Sequence, residues 1–310
     1  MCGIAGLIGR LDGAASDPSR RPGLAALRHR GPDGEGEWLS ADGGCWLGHT
    51  RLAIQDLSAA GAQPMTSAAG GAVLVFNGEI YNHLELRPRL GGHAWRGHSD
   101  SETLLEGLTR EGLGWLDQLR GMFAFACYDL ARRRLLLARD RLGIKPLYLR
   151  HEGGELAFAS ELRALALPGQ PWRWTPQTLS QLLAFGHLPA SGVLGHSGEA
   201  RLSALPPGHW LEVRLEVGGE ALRALPGEPR RWWLPGDGPE PLPGPTHGPS
   251  HGATKGLASV RIGAENVTRL SAARASGDSK AGTAGAQDAT SAPKEGSGDR
   301  ADRSAAAAVG

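Results

Sequence analysis

Cys2 stands directly behind the initiator methionine and before Gly3, in the opening run MCGIAG. If Met1 is removed, this one residue carries a thiol and a free α-amine, a nucleophile and a base together. The reference pKa of an α-amine, near 8, is close to that of a thiol. The plainer reading is a small buried residue, since free cysteine often packs as a hydrophobe. Four further segments are rich in polar residues bounded by glycine: RHRGPDGEG, LGHTRLAIQDLSAAGAQPM, FNGEIYNH and HSDSETLL. In the third, Asn77 and Gly78 read either as a hairpin turn or as two amide donors aimed at a developing oxyanion. Asp100 reads either as an acid in the first turn of a helix opened by a Ser99-x-x-Glu102 capping box or as a partner for a substrate ammonium. Arg51, inside the otherwise apolar GHTRLAI, needs a partner. That partner is a structural acid or a substrate carboxylate, which a guanidinium grips in a bidentate fork. A thiol with an amine, two amide donors, a cation for a carboxylate and acids for an ammonium suit an α-amino acid with a side-chain carbonyl. Glutamine is the natural candidate.

These residues need elements to place them. Apolar runs of strand length recur at Ile4 to Ile8, Cys45 to Ile54, Ala72 to Phe76, Met122 to Tyr128, Leu135 to Ala138 and Leu156 to Ala159. MFAFACYDLARRRLLLARD reads as a hairpin of two buried strands, with Arg132, Arg133 and Arg134 in a solvated turn. Leu104, Leu105 and Leu108 predict a helix over residues 101 to 111. His83 to Leu90 reads as a short helix limited by Pro88. Residues 160 to 235 are less regular, with a helix over Pro176 to Phe185 and a turn into a strand at LPPGHWLEV.

Composition narrows the class. Net charge is +1, so neither a basic field for nucleic acid nor an acidic one for a basic partner is present. Three cysteines, Cys2, Cys45 and Cys127, do not make a disulfide framework, and a reducing cytoplasm fits. The eleven histidines show no metal-ligand spacing. No apolar run is long enough for a membrane span, and IAGLI has no basic segment before it, so no signal peptide is expected. From residue 236 to 310 only seven of 75 residues are Leu, Ile, Val or Phe. Such a stretch cannot bury enough apolar surface to offset chain entropy and is expected to be disordered.

MCGIAG, RHRGPDGEG, LGHTRLAIQDLSAAGAQPM, LVFNGEIYNHLELR, SDSETLLEGL and GMFAFACYD followed by LLLARDRLGIKPLYL and LAFASELRAL closely resemble glutamine-hydrolysing asparagine synthase. The resemblance covers Cys2 to about Trp233 and is to that family's N-terminal class II glutamine amidotransferase domain, an N-terminal-nucleophile hydrolase. It implies an α+β fold, a four-layer αββα sandwich of two mostly antiparallel sheets. It implies a glutaminase core over residues 2–160, with 161–235 as the end of that domain and the connection toward a synthetase domain. Residue by residue, it implies Cys2 as nucleophile and Asn77 and Gly78 as oxyanion hole. Arg51 matches the ligand of the α-carboxylate, Glu79 and Asp100 the acids near the α-amine, and the backbone of Ile54 and Gln55 further substrate contacts. It implies L-glutamine as substrate and no cofactor for its hydrolysis. ATP and Mg belong to the family's synthetase domain, whose SGGxDS loop has no equivalent here. Ser276-Gly277-Asp278-Ser279 is a superficial echo without the second glycine or a preceding buried strand. A synthetase domain or subunit in trans and a homodimer are the partners implied, with neither nucleic acid nor membrane. A non-catalytic truncated or frameshifted remnant that acts only as a glutamine-binding or interaction domain is the rival reading. The retained glutaminase motifs argue against it.

Overall fold

A computed structural model describes residues 1–9, 19, 21–167, 169–186, 188, 192–197, 200–218 and 221–235. The strands in chain order are β1 (Gly3–Ile8), β2 (Gly34–Leu39), β3 (Cys45–Arg51), β4 (Met65–Thr66), β5 (Ala72–Ile80), β6 (Gly121–Asp129), β7 (Arg134–Arg139) and β8 (Tyr148–Glu152). They continue as β9 (Glu155–Ala159), β10 (Arg173–Trp174), β11 (Gly192–Ser197), β12 (Ala200–Ala204), β13 (His209–Gly218), β14 (Ala221–Pro226) and β15 (Arg230–Arg231). The helices are α1 (His83–Leu86), α2 (Asp100–Glu111) and α3 (Pro176–Phe185).

One sheet runs β10-β11-β12-β8-β9-β1-β3-β2 and the other β14-β13-β7-β6-β5-β4, with β15 against β13. Their ladders are antiparallel. Strand alternation puts every second residue on the face between the sheets. There Ile4 and Ile8 of β1, Cys45 and Leu47 of β3, and Val73 and Val75 of β5 meet Ala126 and Tyr128 of β6 and Leu135 and Leu137 of β7. The other face of the second sheet, with Leu74, Phe76 and Phe125, is covered by Leu104, Leu105 and Leu108 of α2 and by Trp115. The other face of the first sheet, with Ala5, Leu7 and Trp46, lies under Leu24, Leu27, Ala164 and Leu165 of two single-turn 3-10 segments. The αββα expectation is therefore met, with a thinner cover on the first sheet. The segment after residue 160 is more regular than its sequence suggests: β11 and β12 widen one sheet, and β13 and β14 the other.

Two local expectations are corrected. Asn77-Gly78 is no turn; β5 runs through it to Ile80, because β6 pairs along the whole length from Ala72 to Ile80. The run expected to reach Ile54 ends as a strand at Arg51. The helix over residues 101 to 111 forms from Asp100, and Ser99 caps it by accepting the Glu102 N–H at 3.3 Å. The Glu102 carboxylate does not return to Ser99 but accepts the backbone N–H groups of Arg96 and Gly97. The expectations for residues 236–310, including Ser276 to Ser279, lie outside the described residues. Among the described residues, no helix is long and apolar enough to cross a membrane.

Candidate active site

The inter-sheet face continues past the apolar core to one end of the sandwich, where its residues become polar. On β1 the series Ile8, Gly6, Ile4 ends in Cys2. On β3 the series Cys45, Leu47 continues as His49 and Arg51, and on β5 the series Val73, Val75 continues as Asn77 and Glu79. The pairs Ile4↔His49 and Gly3↔Thr50 set β1 and β3 in register, so Cys2 and Arg51 arrive at the same end. These side chains line a cleft of about 120 Å³ together with Met1, Ile54, Gln55, Gln63, Gly78, Asp100 and Lys145. Every residue singled out in the sequence as a site residue lies on this one cleft.

The Cys2 thiol accepts the Leu52 N–H at 3.3 Å. Burial pushes its pKa up; the Leu52 N–H, the N-terminal ammonium and the Arg51 cation oppose that rise, and Asp100 adds to it. The resting group is thus a thiol that needs a base, not a preformed thiolate. The chain's α-amine is held below its usual value, chiefly by burial, with Arg30 and Lys145 pushing the same way. Arg30 donates from Nε to the Cys2 carbonyl at 3.0 Å and from Nη1 to Glu161 at 2.9 Å, which fixes the backbone carrying the thiol.

The open edge of β5 faces the cleft. In an antiparallel strand, alternate residues turn their N–H groups to the same edge. On that edge Phe76 N–H donates to Gln63 Oε1 at 2.6 Å and Ile80 N–H to Asp100 Oδ2 at 2.8 Å. Gly78 lies between them. Opposite it, Phe123 uses its N–H and C=O on Asp140, so the Gly78 N–H points outward from the ladder, with no protein partner among the described residues. A side chain at Gly78 would collide with the Met122 carbonyl and the Phe123 backbone. Beside it Asn77 is only 1% exposed, yet neither its Nδ2 nor its Oδ1 has a partner. Two donors thus stand unused on one wall, in a molecule whose buried polar groups are otherwise mostly satisfied.

Arg51 donates from Nη1 to the Ser58 carbonyl at 2.9 Å and from Nη2 to the Asp56 carbonyl. Among the described residues it forms no ion pair with a carboxylate. Asp56 in turn accepts Ser58 N–H and Oγ–H and, from the segment before α2, His98 N–H at 2.8 Å. These bonds pull its pKa down to about 2. The loop carrying Ile54 and Gln55 is therefore tied at both ends. Asp100, buried at the start of α2, has its pKa pushed up to about 6 by burial, against three backbone hydrogen bonds and with Glu79 adding to the rise. His49 is driven the other way, to about 4, again by burial, so it stays neutral. The sequence reading missed His49, Gln63, Asp56 and Lys145. For His49 a signal existed: it is two residues before Arg51 and shares its strand face. For Asp56 the signal is the Asp-x-Ser spacing of a side-chain turn.

Two antiparallel sheets thus bring the thiol of the second residue, an amide pair and a carboxylate together at one end of the sandwich. The model of the glutamine amidotransferase domain matches residues 1–221, and the chain belongs to that family. Its relatives include glutamine-hydrolyzing asparagine synthetase 2 of Arabidopsis thaliana, 40% identical over 168 residues, covering 54% of this chain and 28% of that protein. The protein of the same name from Bacillus subtilis (strain 168) is 34% identical over 221 residues, covering 69% and 29%. The chain thus spans less than a third of the length of these relatives. A solved glutamine phosphoribosylpyrophosphate amidotransferase from B. subtilis aligns with TM-score 0.47 at 20% identity, over 72% of this chain and 49% of that one.

Proposed function

We propose that residues 2–160, completed by 161–235, form a glutaminase that releases ammonia from L-glutamine through Cys2. The observation that carries this is the Asn77–Gly78 wall: a buried amide with no partner and an unpaired backbone N–H, facing the cleft that holds the thiol. With Met1 removed, the α-amine of Cys2 takes the thiol proton, directly or through water. The sulfur bonds to the side-chain carbonyl carbon, and the oxygen becomes an oxyanion held by Asn77 Nδ2–H and Gly78 N–H. Collapse breaks the C–N bond as the amine returns its proton to the departing ammonia. Water then cleaves the γ-glutamyl thioester to glutamate and restores the thiol. Arg51 receives the α-carboxylate, Glu79 and Asp100 face the α-ammonium, and the backbone of Ile54 and Gln55 closes the remaining side. No cofactor takes part in these steps. The relatives' names point to aspartate as acceptor of the ammonia. In that reading ATP-dependent amidation is carried out by residues outside 1–235, in a further domain or a partner subunit.

The test is direct. Purified processed protein is incubated with L-glutamine, glutamate and ammonia are quantified, and the acid-quenched protein is weighed by mass spectrometry for a glutamyl adduct on the Cys2 peptide. Stoichiometric products with the adduct on Cys2 are expected. Retention of Met1 in active protein, or turnover without an adduct at Cys2, would sink the reading.

A further inference from the structure

Lys145 lies on the same cleft and has no role so far. It is only 4% exposed, a depth at which a lysine normally has an anionic partner. Its ammonium has none among the described ion pairs. Its one described contact is the Met1 thioether, 3.0 Å away. Its backbone, by contrast, is clamped. Lys145 N–H donates to Asp140 Oδ2 at 2.9 Å, and Ile144 and Leu142 N–H donate to Asp140 Oδ1. Arg139 grips the Lys145 carbonyl from Nε at 2.8 Å and the Gly143 carbonyl from Nη2. Gly143 turns the loop with φ +65°. The fold thus spends a buried carboxylate and a buried guanidinium on delivering one cation against the first residue of the chain.

We propose that Lys145 is a positioning residue of the thiol site, whose ammonium loses the Met1 thioether on processing and then faces the newly freed α-amine of Cys2, keeping that amine an uncharged proton acceptor. The inference rests on the glutaminase reading above. A cation beside an amine disfavours its protonated form, so more of the amine is free to accept a proton near neutral pH, and the same cation favours the neighbouring thiolate that the transfer leaves. Other charges face the same point: Arg30 behind the Cys2 carbonyl, Asp33 before β2, Arg51 at the end of β3, Glu79 on β5 and Asp100 on α2. Glu79 and Asp100 oppose Lys145 but are committed to the substrate ammonium in the complex, and Asp33 accepts the Ala53 N–H, which leaves Lys145 and Arg30 as the cations that hold the amine down. Arg30 is held by Glu161; Lys145 forms no ion pair among the described residues, and Glu79 and Asp140 are the acids whose charges act on it.

The experiment compares the pH dependence of kcat in processed wild-type protein, Lys145→Met and Lys145→Arg. The kcat profile reports the enzyme–substrate complex, where Asp100 is paired and the amine sets the acid limb. In Lys145→Met that limb should move up by about one pH unit, with about tenfold lower kcat on the acid side. Lys145→Arg should restore the wild-type limb, and KM should change little. In parallel, the pH at which iodoacetamide alkylates Cys2 without substrate should rise in Lys145→Met. An unmoved limb overturns the proposal, as does a rise in KM alone, which would make Lys145 a substrate contact. If circular dichroism shows Lys145→Met unfolded, Lys145→Gln is read by the same criteria. Wild-type protein that releases no glutamate removes the glutaminase reading itself, and that outcome is seen before any variant is made.

Discussion

The two ends of the inter-sheet face are built from the same three strands in the same register, and they do opposite things. At one end β1, β3 and β5 present Ile8, Cys45, Leu47, Val73 and Val75, all fully or nearly fully buried. At the other end the same strand faces present Cys2, His49, Arg51, Asn77 and Glu79. Backbone geometry does not distinguish the ends; alternation delivers both sets to the same gap. What differs is whether the side chains satisfy one another. The apolar end is closed by packing, while the polar end keeps amide donors without protein partners and a guanidinium with no carboxylate partner among the described residues. Activity and stability should therefore separate along a single strand.

The sharpest separation is at Cys2. Cys2→Ser should reduce glutamine hydrolysis by about a thousandfold or more, because a hydroxyl is a far poorer nucleophile at neutral pH. The melting temperature should stay near wild type; comparable activity in the variant would break the contrast. Leu47→Ala, opposite Gly6 in the same β1–β3 ladder, should do the reverse. A cavity in the inter-sheet core costs about 2–5 kcal/mol of stability in denaturant unfolding, with kcat of the folded protein nearly unchanged. Asn77→Ala comes next. Its amide has no protein partner to lose, so stability should hold while kcat falls by about 100-fold, the scale of one oxyanion donor. A change in KM alone would make Asn77 a ground-state contact instead.

The smallest effect is a pH dependence of binding. Asp100 has a folded pKa near 6, above its ordinary value, because it is buried. The charged carboxylate is present above that pH and lost as pH falls through it, so glutamine affinity, measured by calorimetry on Cys2→Ser, should weaken on acidification through about 6. The stability sign is the opposite. Ionising this buried acid disfavours the folded state, so its contribution is most favourable at low pH and is lost as pH rises toward 6. Asp100→Asn should remove the pH step in affinity.

Much of this contrast was legible in the sequence. The strands at Ile4 to Ile8, Met122 to Tyr128 and Leu135 to Ala138 are short apolar runs between turn residues, and their buried faces appear where alternation puts them. Arg51 and Asn77 carry polar side chains within apolar strands and Cys2 a thiol at the start of the chain, which is why they stood out, whereas Glu79, Ile54 and Gln55 entered only through the family resemblance. What was not legible depends on pairing across distance. Asn77-Gly78 has the local signature of a turn, and only nine paired residues of β6 hold it extended. Strands β8, β11 and β12 lie in a stretch whose local pattern is weak, and they become regular only by adding to an existing sheet edge. Lys145 gave no signal, because its burial is produced by Arg139 and Asp140 rather than by its own neighbours' hydropathy.

The open edge of β5 has one more consequence. Because β4 is only two residues long, the second sheet would otherwise expose a length of unpaired backbone beyond it, the kind of template onto which another chain adds a strand. Gln63 and Asp100 reach in from two different segments to occupy the donors on either side of Gly78. No continuous ladder can grow there, since a docking strand would meet two side chains already in place and find a single free donor between them. One donor between two occupied ones can hold a single carbonyl oxygen but not the ladder of a strand. The same two hydrogen bonds that frame the chemistry also guard the molecule against joining copies of itself edge to edge.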